Sequence, residues 1–155
     1  IQVLQSFFDH GGAMIDSSPM YGSSEAVIGK CLAAIDNTQG LVAATKVWTP
    51  GQQAGIRQMQ HSRALWGVSN FDLMQIHNLR DWKVHLATLR DWKEAGKIRY
   101  IGITTSHGRA HEEFANVMRS EPLDFAQFSY NLENREAEQV LLPLAAAPSR
   151  EARWP

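Results

Sequence analysis

Five short apolar runs, separated by stretches of helical periodicity, constrain this 155-residue chain more than any other feature. The runs lie near residues 13–16, 41–48, 71–77, 98–105 and 125–130, with Gly, Pro or polar residues around them. LVAATKVW, between Gly40 and Pro50, is mostly apolar at both alternating sets of positions, which suits a strand covered on both faces. Between the runs, apolar residues recur at three- and four-residue intervals. Val27, Ile28, Cys31 and Leu32 make one stripe, and Leu86, Leu89 and Trp92 another with Gly96 as its cap. Phe114, Val117 and Met118 make a third, while Ile56, Met59 and Leu65 give a poorer one because Arg63 interrupts it. A leading helix carries Val3, Leu4, Phe7 and Phe8 until His10-Gly11-Gly12 stops it, and a final helix is expected over about 133–146. Strand and helix alternate strictly, so the expected class is α/β with parallel βα units.

No linker divides residues 1–146, which read as one domain followed by an irregular tail over 147–155. A net charge of -1 and the absence of a Lys/Arg run argue against nucleic acid or an anionic membrane surface as partner. No apolar run approaches the roughly 18 residues that span a bilayer. Cys31 is the single cysteine, so no intrachain disulfide forms and a cytoplasmic setting is expected. It reads as helix core rather than as a nucleophile. The LRDWK at 79–83 and again at 89–93 has too short a period for a solenoid and is read as coincidence.

Parallel βα units gather the carboxyl ends of their strands on one face, where catalytic groups collect. Asp16 and Tyr21 follow the first run, ahead of a helix opened by Ser23 or Ser24; Lys46 lies near the end of the second run, and His77 closes the third. Each has a plain structural reading: Asp16 as a loop organiser, Tyr21 as a rim residue, His77 as a strand-end histidine. Lys46 resists that treatment, because a charge inside an apolar strand needs a partner. The loop Asp16-Ser17-Ser18-Pro19-Met20-Tyr21-Gly22, then ATKVW, DLMQIHN, LRDWKEAGKIRYIGI and LDFAQFSYN, taken in order, resemble the aldo-keto reductase family over most of residues 1–146.

The resemblance implies a (β/α)8 TIM barrel, present here as about five parallel βα units, and reduction of an aldehyde or ketone by hydride transfer from NADP(H). It also implies the roles. Tyr21 delivers the proton, Lys46 brings the phenol pKa down, Asp16 holds Lys46, and His77 orients the substrate oxygen. Thr104, Thr105 and Gln127 match positions that contact the nicotinamide carboxamide, and Asp16 borders the cofactor; Thr105 departs from the Asn common in the family. Trp48 is the best candidate among Trp48, Trp82 and Trp92 for a substrate-pocket wall. GVSNF at 67–71 shares letters with the family's carboxamide site but precedes the His77 strand, so it is read as a turn at the opposite end of the barrel. His107 and His111 have the spacing of metal ligands but no HExxH context, and no metal site is expected.

A complete barrel needs about 250 residues. The resemblance implies that the first strand and the last two lie outside this sequence, and with them the seat of the NADP phosphates. Two open sheet edges are then expected, with self-association through them. The alternative to a reductase is a shortened relative that acts as a binding module or has no function.

Overall fold

The computed structural model describes residues 1–106 and 109–147. Its elements in chain order are α1 (Gln2–Asp9), β1 (Met14–Asp16), α2 (Ser24–Ala33), β2 (Val42–Val47), α3 (Gln52–Trp66), β3 (Phe71–Ile76), α4 (Trp82–Glu94), β4 (Ile98–Thr104), α5 (His111–Ser120), β5 (Phe125–Gln127) and α6 (Leu141–Ala146). Short 3-10 turns occupy His77–Leu79 and Glu136–Glu138. All strands are parallel and pair in sequence order, β1-β2-β3-β4-β5, and the sheet curls into a half-barrel with its helices outside. β1 and β5 each have a single neighbour among the described residues.

Side chains alternate across a strand, which sorts the sheet into two faces. Ala43, Val47, Met74, Ile76, Ile101 and Ile103 face outward and pack with Met59, Trp66, Leu86, Leu89, Phe114 and Val117 of the helices. Each such Leu, Ile or Phe contributes about 1.5–3 kcal/mol by leaving water. The opposite parity runs along the inner face, where the register sets Lys46 beside Gln75 and Gln75 beside Gly102. Two more inner positions, Thr104 and Gln127, are paired at the carboxyl ends of β4 and β5. α4 ends as its glycine foretells: Gly96 takes φ +68, and the Gly96 and Lys97 N–H groups close on the Lys93 and Trp92 carbonyls at 3.0 and 2.8 Å.

Three expectations need correction. The final helix does not run from 133 to 146; a 3-10 turn is followed by α6. Pro143 is the reason, since a proline inside a helix lacks the N–H and clashes with the carbonyl four residues back, whereas in the first turn of α6 it costs nothing. β5 stops at Gln127 rather than 130, because its partner β4 ends at Thr104, the residue opposite. The stripes of α2 and α3 also differ. Val27 is 50% exposed, while Glu25 and Gly29 are buried. In α3 the buried line is Gly55, Met59, Ser62 and Trp66, which leaves Arg63 harmlessly outside it. Gly29 lets the two helices touch: a Cβ there would lie 1.9 Å from the Leu65 carbonyl oxygen. Glu25 ties the layer together, accepting from Thr45 Oγ1 at 2.6 Å, Ser62 Oγ at 2.8 Å and Trp66 Nε1 at 3.2 Å.

Candidate active site

Lys46 has no exposed surface, and an ammonium so placed is stable only with partners. Its Nζ donates to Asp16 Oδ2 at 2.6 Å and to the Ser17 carbonyl at 2.8 Å. The sheet supplies this pair, since Asp16 ends β1 opposite Ala44, two residues before Lys46. Asp16 is held from two further sides, by Gln75 Nε2 on Oδ1 at 2.9 Å and Gln127 Nε2 on Oδ2 at 3.3 Å. Gln75 fits there because Gly102 has no side chain: a Cβ on Gly102 would stand 2.9 Å from Gln75 Cγ.

Tyr21 lies over this pair, its ring centroid 5.3 Å from Lys46 Nζ, and meets His77 edge to face at 6.1 Å between centroids. Two buried serines shape its loop. Ser18 takes the Tyr21 N–H on its carbonyl at 3.0 Å and the Met20 N–H on its hydroxyl at 3.2 Å. Ser17 Oγ meets Ser24 Oγ at 2.8 Å, and α2 opens at Ser24 with Ser23 at its N-cap, as expected, without a side-chain cap hydrogen bond. The Tyr21 pKa is raised, first by burial and then by the Asp16 carboxylate. That direction is opposite to the one expected from Lys46. The ammonium is drawn onto Asp16 and Ser17 and faces the ring of Tyr21.

The His77 pKa is lowered, by burial first and the Lys46 charge second, against a smaller pull from Asp16. The imidazole is therefore neutral at pH 7. Thr104 Oγ1 accepts the Asn78 N–H at 3.1 Å and lies 2.9 Å from His77 Nδ1. A hydroxyl can donate to Nδ1 or accept from it, and where it donates, the imidazole hydrogen sits on Nε2 and faces the site. Thr104, expected at the carboxamide, thus braces His77. Thr105 Oγ1 donates to the Arg109 carbonyl at 2.6 Å, and Gln127 reaches the site through Asp16. Trp48 stands past the end of β2 under the Arg80 guanidinium, 4.9 Å from the ring centroid. Trp82 donates to Glu113, and Trp92 packs on the helix side of the core. The structure therefore brings Asp16, Tyr21, Lys46 and His77 together, with Thr104 and Gln127 in contact with them. Thr105 is turned elsewhere.

Gln75 is the site residue that sequence reading passed over. Its signal was the same as that of Lys46, a polar side chain inside an apolar strand. A cavity of about 350 Å3 opens instead at the amino ends of β2 to β4. It is lined by Leu41, Val68, Ser69 and Arg99 among others, so the 67–70 segment lies at the far end of the sheet from the tetrad. No group of three or more His, Cys, Asp or Glu able to hold a metal occurs among the described residues. His107 lies outside them, as does the 148–155 part of the tail, and His111 Nδ1 is 3.4 Å from Glu136.

The sequence profile of the Aldo/keto reductase family matches residues 1–149. The chain belongs to that family. Aldo-keto reductase YhdN of Bacillus subtilis (strain 168) is 30% identical over a 166-residue alignment that covers 94% of this chain and 47% of the relative. The chain therefore spans about half the length of that aldo-keto reductase. Among solved structures, the glycerol dehydrogenase AKR11B4 of Gluconobacter oxydans superposes with a TM-score of 0.74 at 24% identity, covering 98% of this chain and 57% of the other. The aldo-keto reductase AKR11C1 of Bacillus halodurans, in its holo form, gives 0.76 at 21%, covering 92% and 50%. These likenesses show the fold, that of the aldo-keto reductase (β/α)8 barrel, of which this chain forms five consecutive βα units.

Proposed function

We propose that this chain carries the proton-donating half of a carbonyl reductase, converting aldehydes or ketones to alcohols with NADPH. The observation that carries the reading is the buried Lys46–Asp16 pair beneath Tyr21, with neutral His77 alongside. A lysine is not buried in a strand for packing, and the three donors on Asp16 fix where its charge sits. The donor set fits the nicotinamide end of the cofactor: Gln127, at the end of β5, offers an amide suited to a carboxamide. When bound, a reduced nicotinamide supplies a hydride to the carbonyl carbon.

The chain's own residues handle the oxygen. Tyr21 Oη and His77 Nε2–H donate to the substrate oxygen and polarise the carbonyl. As negative charge grows on that oxygen, Tyr21 gives up its proton to it and the product leaves as the alcohol. The phenolate that remains faces the Lys46 ammonium, which Asp16 keeps in place. A phenol whose pKa is raised holds its proton through neutral pH, so the site is charged for reduction. A cytoplasmic setting, where NADPH is the abundant reductant, fits this direction; no described helix is long and apolar enough to cross a membrane.

The test is NADPH oxidation by the full chain with a simple aldehyde, followed by the absorbance of the reduced nicotinamide, in wild type and Tyr21→Phe. Carbonyl-dependent turnover that falls by roughly 100-fold or more in Tyr21→Phe is expected, the usual weight of a general acid. Turnover that survives the substitution defeats the assignment. The two single-neighbour strands favour a second reading, in which the half-barrel acts by pairing its edges with a second copy of the chain.

A further inference from the structure

We infer that Trp48 and Arg80 form a subsite for an oxyanion, a carboxylate or phosphate group carried by the carbonyl substrate. The reductase reading supplies the word substrate; the oxyanion site stands on the following geometry.

Arg80 Cζ lies 4.9 Å from the centre of the Trp48 ring. The platform is fixed. Gln58 clamps the Trp48 backbone on both sides, its Oε1 accepting the N–H at 2.6 Å and its Nε2 donating to the carbonyl at 3.3 Å. The next carbonyl, that of Thr49, takes a hydrogen bond from the buried His85 Nε2 at 2.6 Å.

The segment that presents Arg80 is fixed as well, at a cost. Asn78, Leu79 and Asp81 have φ values of 52°, 52° and 50°, the left-handed region that side chains other than glycine rarely enter. Strain of this kind persists where neighbours over-determine it. Here the Asn78 N–H is held by Thr104 at 3.1 Å and its side chain by Ser106 at 3.0 Å. Leu79 is buried in the core, and Asp81 Oδ2 takes the Gly51 N–H at 2.7 Å.

The result is a guanidinium over an aromatic face, its charge unanswered among the described residues. Asp81, the nearest acid in sequence, has turned to Gly51, and no carboxylate pairs with Arg80 among the described residues, in contrast to Arg90, Arg99 and Arg135. A guanidinium held over a ring by cation–π attraction keeps N–H groups free of any acid partner, and a free N–H fork grips a carboxylate or phosphate through two parallel hydrogen bonds. Position completes the argument. Trp48 is two residues past Lys46 and Arg80 three past His77, so the pair borders the tetrad on the β2–β3 side, away from Gln127 on β5.

The experiment follows the Trp48 indole N–H by NMR in the full chain, assigned through Trp48→Phe, during titration with benzoate, phenyl phosphate and methyl benzoate. Benzoate or phenyl phosphate should shift the resonance and the ester should not, the stronger of the two anions naming the group. Arg80→Gln should weaken that response at least tenfold, and Arg80→Lys should restore part of it. An equal response to ester and anions, an equal response in Arg80→Gln, or no response overturns the subsite. A second arm compares NADPH-linked reduction of 4-carboxybenzaldehyde and methyl 4-formylbenzoate. The acid-to-ester ratio of kcat/KM should fall at least tenfold in Arg80→Gln, and an unchanged ratio overturns the role in selection. If neither aldehyde is reduced while the Trp48 resonance still tracks benzoate, the reductase reading falls and the oxyanion subsite remains.

Discussion

At the scale of single residues, the site is a problem in placing one buried charge. Asp16 answers Lys46, and Gln75 and Gln127 hold Asp16, so removing the carboxylate should be felt well beyond the chemistry. Asp16→Asn leaves the ammonium buried without a counter-charge, and a loss of about 3–5 kcal/mol is expected, read as a fall in the urea midpoint at unchanged m-value. Lys46→Met should cost less stability and still abolish reduction. The two shifted groups also set a pH profile. His77 is pushed below its usual 6.5, so as pH falls it remains neutral through that value and gains its proton at a more acid one. Tyr21 is pushed above its usual 10.0 and keeps its proton through neutral and mildly alkaline pH. The kcat/KM for reduction should therefore be flat from pH 7 down past 6.5, with no Tyr21 limb below pH 10. Thr104 sharpens the point, because a hydroxyl that donates to Nδ1 stabilises the neutral imidazole. Thr104→Val should move the acid limb upward and Thr104→Ser should leave it in place; identical limbs in both variants would show that the hydroxyl does not fix the tautomer.

At the scale of elements, α2, β2 and α3 are joined by one carboxylate. Glu25→Ala would strand the Thr45 and Ser62 hydroxyls and the Trp66 indole inside the core, at a cost of about 3 kcal/mol or more. Loss of stability together with an altered near-ultraviolet signal from Trp66 is the expected result, and Glu25→Gln, which keeps an acceptor, should lose less. This junction was not legible in the sequence, for a physical reason. Acidic residues crowd the first turns of exposed helices, so Glu25 carries no mark of burial, and its partners lie 20 to 41 residues away. A polar residue in a strand is more revealing, because an apolar run has a background against which it stands out. Lys46 was found on that ground, and Gln75 was available on the same ground. The alternation of strands and helices was legible because each run had the right length and closure. The ends were less so: they depend on where a neighbour stops, as at Gln127, or on one proline, as at Pro143. The strained turn at 78–81 was only partly legible: Asn78 and Asp81 are types that tolerate left-handed backbone, but Leu79 is not, and tertiary contacts impose it there.

At the scale of the molecule, the curled sheet exposes two flanks. Among the described residues each of β1 and β5 has one ladder partner, so its far edge offers unpaired N–H and C=O groups, the template on which another chain adds. The β1 flank is the more adhesive. Met14 is 41% exposed there, and α1, which leads into β1, buries none of its residues and leaves Val3 82% exposed. Hydrogen-bonding edge and apolar surface together favour association. Sedimentation velocity on the purified chain should show a weight-average mass that rises with concentration above the 17.4 kDa of one copy. Met14→Lys places a charge on the edge strand outside the outer core, and natural edge strands use lysine in this way to prevent pairing. It should shift the distribution towards the monomer. A distribution unmoved by Met14→Lys but cleared by Val3→Glu would assign the contact to α1 alone, and a single sharp monomer at all concentrations would show that the edges are silent.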